Sequence, residues 1–168
     1  PPSAGSNSPV CEGATLNLTA SALPGATWSW TGPNGFTSTQ QNPSLSNITA
    51  AGSGAYQVTA SINGCVSPAG FVNVNVNSAP SGFTASPPAP LPGQSATFTP
   101  ATSGATYSWT FQSGTPSSSA AQSPSVTWGS TGSYTVTLTV TLNGCSSSTT
   151  ETVNVVNNIQ KPVQALTF

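Results

Sequence analysis

Thr135-Val136-Thr137-Leu138-Thr139-Val140-Thr141-Leu142 alternates without a break between a hydroxyl and an aliphatic side chain. Successive side chains of an extended strand point to opposite faces, so the run puts Val and Leu on one side and Thr on the other. A helix would spread the same four aliphatic residues over opposite sides of its barrel. Val and Thr are also β-branched, which suits a pleated, half-buried surface. Phe71-Val72-Asn73-Val74-Asn75-Val76 repeats the pattern with Asn on the polar side. Asn143-Gly144 follows the first run and Asn63-Gly64 precedes the second. Asn-Gly is a strong hairpin signal, because both residues tolerate positive φ. No stretch has a 3.6-residue period, and 16 Gly and 16 Pro punctuate the chain. The expectation is an all-β protein.

The hairpin belongs to a set of blocks that occurs twice, about 79 residues apart. Cys11-Glu12-Gly13-Ala14-Thr15 is echoed by Leu91-Pro92-Gly93-Gln94-Ser95. Gly25-Ala26-Thr27-Trp28-Ser29-Trp30-Thr31 is echoed by Gly104-Ala105-Thr106-Tyr107-Ser108-Trp109-Thr110. Gly54-Ala55-Tyr56-Gln57-Val58-Thr59 is echoed by Gly132-Ser133-Tyr134-Thr135-Val136-Thr137, and Asn63-Gly64-Cys65 by Asn143-Gly144-Cys145. Four matched blocks in one order predict two homologous domains, 1–78 and 79–157, with a tail at 158–168. The boundary falls near Asn77-Ser78-Ala79-Pro80.

Within each repeat the blocks read as an immunoglobulin-type antiparallel β-sandwich. Strand B covers residues 15–20 and 95–100, strand C carries Trp30 and Trp109, and strand F opens on Gly-x-Tyr. Each Trp follows the inward residue of strand B (Leu18, Phe98) by about a dozen residues, a spacing that packs an indole across the sandwich. Tyr56 and Tyr134 stand where a tyrosine corner would be, so Trp30, Tyr56, Trp109 and Tyr134 are the expected core. Apolar residues (Leu18 and Val58; Phe98 and Val136) occupy the positions of the inter-sheet cystines, which leaves each core to burial alone. Trp28 and Trp30 share a face, as do Tyr107 and Trp109; packing is the ordinary use of such pairs, and a sugar-stacking platform would need exposed, coplanar rings.

Only Glu12, Glu151 and Lys161 carry a side-chain charge, and His, Asp, Arg and Met are absent. Charged residues are 2% of the 168, against roughly 25% in an average domain. Two isolated Glu are a poor supply for acid–base chemistry or a nucleophile's activation. They build no carboxylate cage, and three scattered Cys without His make no zinc site. One Lys does not neutralise a phosphate backbone. The expectation is therefore no enzyme, no cofactor or metal and no nucleic acid. No apolar run is long enough to cross a bilayer, so no membrane insertion is expected. The first residues lack the regions of a signal peptide, consistent with a mature or excised piece of a larger secreted protein.

The blocks resemble the Ig-like and PKD-like repeats of large secreted surface proteins of Bacteroidetes, including gliding-type adhesins. Carrying the resemblance in the first half are Cys11-x-Gly13, the segment Trp30-Thr31-Gly32-Pro33-Asn34-Gly35-Phe36-Thr37, Gly54-x-Tyr56-x-Val58 and Asn63-Gly64-Cys65. In the second half they are Tyr107-x-Trp109-Thr110-Phe111, Ser125-Val126-Thr127-Trp128, Gly132-x-Tyr134-x-Val136 and Asn143-Gly144-Cys145. The family's acidic segment W-D-F-G-D-G is here Trp109-Thr110-Phe111-Gln112-Ser113-Gly114, which removes any acidic ion site. The second half also lacks the Cys of the C-x-G motif.

The family habit of one C-x-G and one N-G-C per domain implies a Cys11–Cys65 disulfide. The implied topology puts these two at opposite ends of the first sandwich, about 20 Å apart, whereas a disulfide needs Cα atoms within about 7 Å. Cys145 would face the end that holds Cys11, so an inter-domain Cys11–Cys145 bridge is the expected pairing, with Cys65 left to reach a preceding module and Cys11–Cys65 kept as the alternative. Three free thiols are the remaining option.

The resemblance implies a non-catalytic structural or adhesive module of an extracellular cell-surface adhesin or filament, a rod-like spacer with contact surfaces. Its expected partners are neighbouring Ig-like modules or copies of itself, and surface glycans. The alternative is a carbohydrate-binding accessory module of a secreted hydrolase. In the tail, Val163, Ala165, Leu166 and Phe168 lie in a strand-like run after Pro162, either the start of a further module or a strand that completes a neighbour's sheet. The Thr-rich outer faces of the F strands are either plain polar faces or a hydroxyl surface for glycans or ice. Asn17-Leu18-Thr19 and Asn47-Ile48-Thr49 match the glycosylation sequon, by chance if the source is bacterial.

Overall fold

The computed structural model describes residues 1–157, which fall into two units that divide between Ser78 and Ala79. The strands of the first are β1 (Ala4–Ser6), β2 (Val10–Cys11), β3 (Leu16–Ala20), β4 (Thr27–Thr31), β5 (Thr37–Ser38), β6 (Ser44–Leu45), β7 (Gly54–Ile62), β8 (Cys65–Val66), β9 (Gly70–Val74) and β10 (Val76–Asn77). One sheet runs β1-β3-β6, and the other runs β5-β4-β7 with β8 and β9 both paired to β7. Every pair is antiparallel except β10 with β2, which run parallel. The inward residues of both sheets meet in one core: Leu16, Leu18 and Ala20 of β3, Trp30 of β4, Tyr56 and Val58 of β7, and Val74 of β9. Alternation decides this, since β3 reads buried-exposed-buried-exposed-buried along Leu16–Ala20.

The second unit holds β11 (Phe83–Ser86), β12 (Ala96–Pro100), β13 (Thr106–Phe111), β14 (Ser118–Ser119), β15 (Ser125–Val126), β16 (Gly132–Leu142) and β17 (Cys145–Val155). Its sheets are β11-β12-β15 and β14-β13-β16-β17. The opening run of the sequence is the body of β16, with Val136, Leu138 and Val140 fully buried. This core is aromatic. Phe98 of β12 touches Phe83, Trp109, Phe111 and Trp128, with ring centroids 5.2–6.2 Å apart, an edge-on and tilted packing that rings prefer over a sandwich. Both units are immunoglobulin-like antiparallel β-sandwiches, in tandem.

The edge strands depart from simple alternation. In the first unit β1 ends its pairing with β3 at Ser6, and the chain passes a cis Ser8–Pro9 peptide and switches through β2 to pair with β10. The Ser8 hydroxyl bridges this switch: it accepts from the Asn75 N–H at 2.7 Å and donates to the Asn75 carbonyl. The last strand of this unit is split, because Pro68 has no N–H for a ladder. Ser67 closes the gap, its N–H donating to the Ala60 carbonyl at 2.8 Å and its hydroxyl accepting from the Ala60 N–H at 3.0 Å. In the second unit a cis Ser86–Pro87 peptide lies at the corresponding place, and the Val156 N–H donates to the Pro90 carbonyl at 3.0 Å.

Candidate functional site

The side chains with a chemical role in the sequence reading fall into three groups: the aromatic residues of the C and F strands, the cysteines, and the outer faces of the sheets. Trp30 and Trp109 are fully buried, and each indole N–H donates to a carbonyl in the loop after the next strand, Gln41 at 3.1 Å and Ala121 at 3.0 Å. Trp128 is equally buried and donates to the Gln112 carbonyl at 2.9 Å. Burial of Trp30 and Trp109 overturns the stacking platform, since neither indole reaches solvent. Their strand neighbours Trp28 and Tyr107 are only half-buried, and the Tyr107 hydroxyl donates to the Thr102 carbonyl at 2.8 Å.

Each F strand has its tyrosine tied four residues back. The Tyr56 hydroxyl donates to the Gly52 carbonyl at 3.0 Å, and Tyr134 donates to the Ser130 carbonyl at 3.0 Å. Tyr56 is fully buried, its ring edge-on to Phe36 at 5.5 Å, and desolvation pushes its phenol above the usual value. Tyr134 differs from the expected core position: it is half-buried, stacked on Trp128 at 5.7 Å. The indole of Trp128 takes the central volume in this unit and leaves the tyrosine at the rim.

Glu12 is more than a solvated charge. Its carboxylate accepts from the Ala50 N–H at 3.0 Å, at the start of the short 3-10 turn Ala50–Gly52. A negative group suits the unpaired N–H groups of a helix start. Glu151 is exposed on β17, opposite Val136 of β16. Cys65 carries a free, exposed thiol, whereas Cys11 and Cys145 are disulfide-bonded. Among the described residues no group of three or more His, Cys, Asp or Glu could hold a metal ion, and no helix is long and apolar enough to cross a membrane. The tail positions Val163, Ala165, Leu166 and Phe168, like Lys161, lie outside the described residues.

The outer face of β13, β16 and β17 is the most regular surface. Register places Thr106, Thr141 and Ser146 in one row, Ser108, Thr139 and Ser148 in the next, and Thr110, Thr137 and Thr150 in a third. Across β16 and β17 the facing hydroxyls share hydrogen bonds of 2.6 Å (Thr141 with Ser146), 2.7 Å (Thr139 with Ser148) and 2.9 Å (Thr137 with Thr150). Ser133 extends the series by donating to the Asn154 side-chain carbonyl at 2.7 Å. The first unit has no counterpart. Its equivalent face mixes Thr31, Gln57 and Thr59 with the exposed Phe71 and Val66.

With the topology of both units established, comparison with known proteins places the second. Residues 82–156 match the PKD domain family model. That stretch runs from β11 to β17. The two acidic positions of the resemblance's motif are Thr110, on the hydroxyl face, and Ser113, in a turn at φ 53°. Between them, Gln112 serves the backbone, its side-chain carbonyl accepting from the Thr135 N–H at 2.9 Å. No curated protein matches the chain. Among solved structures, a chain of the mouse coronavirus receptor-binding domain complexed with its murine receptor is 14% identical, covering 93% of this chain and 100% of that one at a TM-score of 0.45. Murine CEACAM1b is 13% identical, covering 93% and 99%, at 0.45. The three N-terminal domains of the bacteriophage RB49 outer capsid protein Hoc are 16% identical, covering 92% and 58%, at 0.42.

Proposed function

We propose that the chain is a non-catalytic structural and adhesive segment of an extracellular surface protein, a spacer of two sandwiches whose junction is stapled by a Cys11–Cys145 disulfide. The observation that carries the reading is the state of the cysteines. The bonded ones, Cys11 and Cys145, belong to different units, while Cys65, the family-implied partner of Cys11, is free. A disulfide fits an oxidising, extracellular setting, as does the PKD match. A covalent tie across a linker this short limits bending, which suits a spacer under load.

Non-reducing peptide mapping tests the staple. A Cys11–Cys145 cross-linked peptide is expected, and a Cys11–Cys65 peptide would falsify the junction. Small-angle scattering before and after mild reduction then reads the spacer role: the distribution of maximum dimensions should broaden once the bond is cut. An unchanged profile would remove the stiffening role. The second reading, an accessory module that carries a hydrolase to a polysaccharide, has one feature in its favour, the hydroxyl rows of the PKD-matched unit.

A further inference from the structure

The hydroxyl rows on β13, β16 and β17 are built rather than merely polar. Thr is stiff at χ1, and each cross-strand pair on β16 and β17 is locked by a bond of 2.6–2.9 Å. A bonded pair of hydroxyls still has one O–H to donate and lone pairs to accept. Three such pairs stand at successive inward-outward steps of two long strands, with Thr106, Ser108 and Thr110 beside them. No charge falls on this face: Glu151 occupies an alternate position, opposite the buried Val136.

We propose that this face binds a neutral polysaccharide chain laid across the rows. The proposal rests on the adhesive reading above and names its contact surface. A sugar presents neighbouring hydroxyls that both donate and accept, which is what a locked Thr–Thr or Thr–Ser pair offers in return. The absence of charge on this face selects against anionic polymers, because their hydration would be lost without an opposing cation. Shape decides against a rigid crystal plane such as ice. Adjacent strands rotate by roughly 20–25°, so three of them form a saddle that a flat lattice touches along a line, while a single flexible chain follows the twist.

Affinity electrophoresis of the intact chain through gels holding hydroxyethylcellulose, amylopectin or galactomannan, with anionic alginate as the charged control, reads the binding as retardation. Retardation by at least one neutral polymer and none by alginate is expected. The triple variant Thr137→Val, Thr139→Val, Thr141→Val keeps side-chain shape and β-propensity, and should weaken retardation by about tenfold or more. Thr139→Lys should do the same by breaking the bond to Ser148 and placing a long charged side chain across the rows, whereas Thr59→Val on the first unit should bind like the parent. Thermal melts confirm that each variant is folded. Absence of retardation by every neutral polymer, or equal retardation of the triple variant, overturns the proposal. So does ice shaping that the triple variant loses in the absence of polysaccharide binding, an outcome that assigns the face to ordered water. The peptide map and scattering report on the spacer independently of any of these results.

Discussion

Tyr56 concentrates several constraints in one side chain. Its ring is fully buried and its hydroxyl is satisfied by Gly52. A Cβ at Gly32 would strike the Tyr56 ring, so the glycine is the space the tyrosine needs. Tyr56→Phe keeps the ring and leaves the Gly52 carbonyl without its partner, at an expected cost of about 1 kcal/mol in chemical denaturation. The pH dependence follows from the raised phenol. Unfolded, the group ionises near the ordinary tyrosine value of about 10; folded, it holds its proton to higher pH. Above that value the folded state therefore binds more protons than the unfolded one, and stability falls as pH rises. The Tyr56 contribution is complete below about pH 10 and declines above it. Denaturation midpoints measured across the alkaline range should drop more steeply for the parent than for Tyr56→Phe.

At the scale of the element, the strands with period-2 alternation were legible and the switches between sheets were not. Val136, Leu138 and Val140 announce their face because Thr separates them. Leu16, Leu18 and Ala20 do the same in β3. The transfer of the first strand from one sheet to the other rests on contacts between residues far apart in sequence, such as Ser8 with Asn75, which no local pattern displays. Glu12 is a similar case. Its role depends on Ala50, and only the fold brings the two together. Tyr134 was misjudged as core because the repeat aligns it with Tyr56, while the volume it would fill belongs to Trp128. Gly70 shows what such hidden contacts cost. Its Cβ would lie against the Pro2 carbonyl, where β9 passes under the N-terminal segment. Gly70→Ala should destabilise the first unit by about 1–3 kcal/mol. Hydrogen exchange is the direct check, with the amides of Ala4–Ser6 losing protection first.

For the whole molecule, the two cores are chemically distinct although the strands that enclose them correspond. The first centres on Trp30, Tyr56 and aliphatic residues, and the second on a cluster of Phe98, Trp109, Phe111 and Trp128. Truncating a buried Trp removes about 3–5 kcal/mol. Calorimetry should therefore show Trp30→Ala lowering one unfolding transition and Trp109→Ala the other, provided the units fold independently. A single transition that shifts equally for both variants would show instead that they unfold as one.

The two hairpins also set how the molecule ages. Asn63 and Asn143 hold φ of 49° and 52°, followed by Gly64 and Gly144 at 83° and 79°, the twist a two-residue hairpin requires. Asn-Gly is the dipeptide most prone to lose its side-chain amide, through attack by the glycine nitrogen on the asparagine side chain. Each event leaves a new carboxylate. In a chain with two acidic side chains, deamidation at both turns doubles that number. The residues that shape the turns thus make isoelectric position a sensitive record of the protein's history, and the hairpins' backbone geometry governs how fast that record is written.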